Sequence, residues 1–188
     1  MDWDIEMRIR RSIVLLILAL AIPTLASDNW PRYRGPGALG VAEDAELPDS
    51  WGTSKNVDWK RDIPGRGWSS PIVWGNRVFL TTVVNSGETE EARKGLYFGG
   101  DRNKASKEIH EWRVLCLDLT TGKVVWNEAV HKAAPLNPVH IKNSYASETP
   151  VTDGRLVYAY FGNIGVFCFD FDGRLRWKKP FRTVRTRN

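Results

Sequence analysis

The chain has few of the residues from which reactive centres are built. Of its 188 residues only two are cysteine, Cys116 and Cys168, and they form no Cys-x-x-Cys pair, which excludes a thiolate zinc site or a dithiol redox centre. The three histidines, His110, His131 and His140, are scattered and lack metal-ligand spacing. No Gly-x-Ser-x-Gly elbow occurs, so the common serine hydrolase arrangement is missing. Gly99-Gly100-Asp101-Arg102 lacks the strand-to-helix setting that a phosphate loop requires. Long apolar runs are also scarce. The run Ile13–Ile22 has ten residues, about half of what a membrane-spanning helix needs.

That run reads as something other than a membrane span. Arg8, Arg10 and Arg11 precede it and Thr24-Leu25-Ala26 follow, the three parts of a secretory signal over residues 1–26. Ser27 stands where a lipoprotein would carry cysteine, so export to the periplasm or cell envelope without a stable membrane anchor is expected. Acidic residues are absent from the last fifteen positions, which hold seven of the basic ones. Residues 27–173 carry 17 basic against 19 acidic groups, so the net charge of +5 is a property of the C-terminal end. Nucleic acid is therefore not an expected partner, and residues 181–188 read as a solvated basic tail.

What the chain does contain is a repeat. Trp112-Arg-Val-Leu-Cys-Leu-Asp-Leu-Thr-Thr-Gly-Lys-Val-Val-Trp126 returns, with one residue fewer between the cysteine and the closing tryptophan, as Gly165-Val-Phe-Cys-Phe-Asp-Phe-Asp-Gly-Arg-Leu-Arg-Trp177. Upstream, Ser70-Pro-Ile-Val-Trp-Gly-Asn-Arg-Val-Phe79 matches Thr149-Pro-Val-Thr-Asp-Gly-Arg-Leu-Val-Tyr158. Each copy holds apolar strands divided by glycine-containing turns. A four-strand unit recurring at about 50 residues is the signature of a β-propeller blade. Gly75-Asn76 and Asp153-Gly154 supply the positive φ of tight hairpins, and Gly122 and Gly173 do so between the third and fourth strands.

The phrase Cys116-Leu-Asp118-Leu-Thr-Thr-Gly122-Lys123-Val-Val-Trp126 resembles the Ala-x-Asp-x-x-x-Gly-Lys-x-x-Trp motif of pyrroloquinoline-quinone (PQQ)-type propellers, with cysteine in the alanine position. The second copy keeps Asp170, Gly173 and Trp177. Trp30-Pro-Arg-Tyr-Arg-Gly-Pro36 and Gly65-Arg-Gly-Trp-Ser-Ser-Pro71 resemble the exported PQQ-like propeller proteins of planctomycete-type bacteria. The resemblance implies an all-β fold of the quinoprotein propeller type. It also implies that Trp59, Trp126 and Trp177 dock between blades and that Asp118 and Asp170 order the hairpins. Most such proteins use the repeat as a scaffold without binding the quinone.

The expected organisation is a signal peptide (1–26), an irregular arm (27–56) and a partial propeller (57–180). Within the latter, an orphan outer strand spans 57–62. A first blade spans 70–128 with an insertion at 85–111, and a second spans 149–179. About two four-stranded blades and one orphan strand make an incomplete ring, the N-terminal part of a longer protein. Equivalent points on adjacent blades lie too far apart for a disulfide, so both cysteines are expected as small buried thiols. The function expected is a non-catalytic exported scaffold that holds protein or polysaccharide through its rim loops, with no catalytic or metal residues and no cofactor. Open blade edges also allow self-association. The alternative is the N-terminal piece of a PQQ- and calcium-dependent dehydrogenase. Asn143 and Glu148, just before an innermost strand, are its candidate cofactor residues.

Overall fold

Glycine turns and alternating apolar residues build two meanders here, in a computed structural model that describes residues 29–42, 47–87, 105–140 and 142–181. The expected signal peptide, most of the basic tail and the middle of the blade-one insertion lie outside the described residues. The first sheet comprises β1 (Ile72–Trp74), β2 (Arg77–Asn85), β3 (His110–Asp118) and β4 (Val124–Ala133). The second comprises β5 (Val151–Thr152), β6 (Leu156–Phe161), β7 (Gly165–Asp170) and β8 (Leu175–Pro180). Each is a four-stranded sheet in sequence order with antiparallel neighbours. The described chain is all-β apart from one short 3-10 turn, Pro36–Ala38, and the two sheets do not close a ring.

The register repeats as the sequence does. Cys116 pairs Phe79 on one side and Trp126 on the other; Cys168 pairs Tyr158 and Trp177. An irregularity follows each cysteine, between Cys116 and Leu117 and between Cys168 and Phe169. Such bulges bend and twist the outer strand.

Because β3 lies inside, both its faces are apolar. Trp112, Val114 and Cys116 join Ile72, Phe79 and Trp126 against Val157, Ala159, Phe161, Phe167 and Phe169 of the second sheet. This is the main core. Leu115 and Leu117 point the other way, where Val78, Ile63, Val73 and Leu80 surround them.

The N-terminal arm is less irregular than its composition suggests. Trp30 exchanges backbone hydrogen bonds with Val73, and Pro31 O accepts from Thr152 N at 2.9 Å, so the arm stitches the innermost strands of both sheets. A second stitch runs through the loop before β1. Arg66 bridges Val83, and the amides of Trp68 and Ser69 donate to Ala146 O.

Three expected boundaries differ. β4 runs to Ala133, five residues past the expected end of the first blade, because its pairing with β3 continues to His110. The link between β2 and β3 accordingly begins after Asn85 and ends before His110. Val57–Asp62, expected as an orphan outer strand, is not a strand. A strand exists through its ladder, and no strand lies beside this segment among the described residues.

Candidate functional site

Two kinds of feature could carry function: the tryptophan seats between repeats and a cavity at one rim. At the seats, turn geometry comes first. Asp118 Oδ1 accepts from the amide and hydroxyl of Thr121, each at 2.8 Å, and its Oδ2 takes Asn76 Nδ2 at 2.6 Å. These donors, the Thr121 hydroxyl foremost, hold the Asp118 carboxyl below the usual carboxylate range. Asp170 Oδ1 takes the amides of Asp172 and Arg174 in the shorter second turn. Each turn thereby presents a glycine at positive φ, +66° at Gly122 and +85° at Gly173.

A tryptophan lies on each glycine. A Cβ on Gly173 would come within 2.7 Å of the Trp126 indole, and one on Gly122 within 2.4 Å of Trp59. Trp126 Nε1 donates to Phe171 O at 2.9 Å, and Trp59 Nε1 to Leu119 O at 2.7 Å. Leu119 and Phe171 each follow the turn aspartate, so the two seats are equivalent. Val57–Asp62 thus delivers Trp59 where a preceding sheet would deliver its own, without forming a strand. Trp177 meets no such turn among the described residues and is half-exposed.

The cavity has a volume of about 590 Å³ and lies under the link from β4 to β5. Trp112, Tyr145, Phe161 and Phe167 line it, together with residues of the β6–β7 turn and the end of β8. Tyr145 pins the link by donating its hydroxyl to Asn137 O at 2.8 Å, and burial pushes that hydroxyl's pKa up. His110 and Trp112 pack on the Tyr145 ring, and His131 lies against Trp112. The carboxamides of Asn137 and Asn163 and the Lys178 ammonium, also at the cavity, take no partner among the described residues.

Asn143 and Glu148 both border this cavity, which brings the two candidate cofactor residues together. Their oxygens are already engaged. Glu148 Oε1 accepts from Gly162 N at 3.1 Å and Oε2 from Ser147 N at 3.3 Å; Asn143 Oδ1 takes Ser144 N at 2.9 Å and Ser147 Oγ at 2.5 Å. They hold loops closed. Calcium asks for six to eight oxygens, and among the described residues no group of three His, Cys, Asp or Glu could hold a metal. Among the described residues, Asn143 and Glu148 by themselves do not make up the oxygen set that calcium asks for. Nor is a nucleophile prepared, since the Ser147 hydroxyl lies against amide oxygens of Asn143 and Ser144 and not against a base.

Cys116 and Cys168 are free and buried. Burial pushes the Cys116 thiol up to about 12 and raises that of Cys168, so neither is a reactive thiolate.

The cavity's aromatic floor was missed from sequence. Trp112 opens the repeat and reads as core, and Tyr145 lies in a link without periodicity. The one available signal was the alternation of Pro135 and Pro138 with Leu136 and Val139, apolar residues in a connection that a solvated loop does not need.

Two stacked four-stranded antiparallel sheets, with a tryptophan of one on a turn glycine of the next, are consistent with part of a PQQ-type β-propeller. In agreement, residues 110–186 match the model of a family of PQQ repeats described as outer membrane protein assembly factor BamB. No curated protein matches the chain. Among the described residues no helix is long and apolar enough to cross a membrane.

Proposed function

We propose that the chain is an exported, non-catalytic propeller scaffold that holds a protein or polysaccharide partner at its rim. The observation that carries this reading is the 590 Å³ cavity, whose floor is aromatic and whose carboxamides at Asn137 and Asn163 lack partners among the described residues. Such a cavity lies within the range of ligand sites, and its unspent donors and acceptors suit a hydroxyl- or amide-rich ligand. The matching family's description as an outer membrane protein assembly factor supports an envelope scaffold. The basic, apolar and small-residue segments of 1–26 support export.

The site does not favour the dehydrogenase alternative: Glu148 and Asn143 accept hydrogen bonds that close loops, and among the described residues no group of three His, Cys, Asp or Glu could hold a metal. The reading is tested by binding to immobilised cell-envelope polysaccharides and envelope-protein peptides. The wild-type chain is expected to bind at least one class saturably, and Asn163→Trp, which puts an indole at a cavity-lining position, to weaken that binding more than about tenfold with its urea midpoint unchanged. Equal binding by both proteins, or alcohol oxidation on adding quinone and calcium, contradicts it.

A further inference from the structure

We propose that the rim cavity takes an acidic sugar, the uronate unit of a carboxylated polysaccharide, and holds its carboxylate on the Lys178 ammonium. The inference rests on reading this cavity as the partner site and names the ligand class for it.

Two cross-strand pairs carry it. In the first sheet Trp112 pairs with His131, in the second Phe167 pairs with Lys178, and all four line the cavity. Each sheet therefore contributes an aromatic ring from its third strand and a base from its fourth. Trp112 and Phe167 are 3% and 5% exposed, whereas His131 and Lys178 are exposed. The bases, more than the rings, are thus open to a ligand.

The groups already spent set the sign of that ligand's charge. The Trp112 indole donates to Tyr145 O at 3.1 Å, and the Tyr145 hydroxyl to Asn137 O. Among the described residues Glu148 is the one acidic side chain on the lining, and both its oxygens accept backbone amides. Lys178 and His131 take no hydrogen bond or ion pair among the described residues. An entering anion thus meets a fixed cation and no free carboxylate. A single ammonium, with no arginine on the lining, suits one carboxylate better than a phosphate. Sugar hydroxyls answer the rest of the site. The carboxamides of Asn137, on the link, and Asn163, in the β6–β7 turn, each offer a donor and an acceptor. Vicinal hydroxyls satisfy both, whereas the side chain of an acidic peptide only accepts.

The test is calorimetric binding of trimers of galacturonate, mannuronate and guluronate, each beside its neutral methyl ester, with tetra-aspartate as the acidic peptide. The chain is expected to bind at least one uronate trimer more than about tenfold more tightly than the ester, and more weakly as salt rises. Lys178→Gln is expected to abolish the preference for acid over ester with its urea midpoint in place, and Lys178→Arg to keep it. The inference is overturned if no trimer binds, if acid and ester bind equally, or if the preference survives in Lys178→Gln. Tetra-aspartate bound as tightly as the trimer overturns the sugar. In any of these cases, binding of an envelope ligand that Asn163→Trp weakens leaves the cavity standing as the partner site. Should Asn163→Trp bind a uronate trimer as the wild type does, the cavity reading fails as well.

Discussion

At the scale of single residues, the fold turns on glycines that serve two purposes. Gly173 adopts a φ of +85° and lies under an indole, so a methyl group there meets both a disfavoured backbone and the Trp126 ring. Gly75 has a φ of +53° but open space around it. Gly173→Ala is therefore expected to cost about 2–4 kcal/mol, from backbone strain and overpacking together. Gly75→Ala should cost about 1–2 kcal/mol, from strain alone. Chemical denaturation of the two variants checks the difference. The tryptophans and glycines were legible from the repeat itself, and the resemblance implied that the tryptophans dock between blades; that Trp126 rests on Gly173 was not legible, because the two are distant in sequence. Asn143 and Glu148 were read as residues ahead of an innermost strand that could approach the ring axis; their tie to Ser147 and Gly162 was not legible, because it depends on a link whose path no periodicity encodes.

At the scale of elements, hairpins are held by carboxylates. Asp153 Oδ1 caps the β5–β6 turn through Leu156 N and Arg155 N, and Oδ2 accepts the Tyr158 hydroxyl. These donors, the Leu156 amide first, lower its pKa, as the Thr121 hydroxyl does for Asp118. Carboxyls lowered in the folded state stabilise it above their unfolded values, and that stabilisation is lost as pH falls below about 4. Stability should thus decline on acidification below that point, and Asp118→Asn should decline less steeply. An equally steep acid limb in the variant counts against the turn's role. Strand alternation and turn glycines made eight strands legible, whereas Val57–Asp62 was not read correctly. Its composition is that of a strand, but a strand also requires a neighbour.

At the scale of the whole molecule, two sheets share one core, and among the described residues Val151, Tyr160 and Trp177 of the second sheet are exposed. The core was foreseeable, since apolar residues on both faces of β3 require a layer on each side. The rim cavity was not, because it arises where a proline-containing link crosses the strand ends. The account's central claim is that an indole from one repeat seats on the turn glycine of the next. The most direct measurement is the Hα chemical shifts of the glycines in the folded chain. Ring currents should move Gly122 and Gly173 well upfield, with cross-relaxation to Trp59 and Trp126 respectively, while Gly75, whose Cβ position has open space, stays at an ordinary position. Ordinary shifts at Gly122 and Gly173 would contradict the claim.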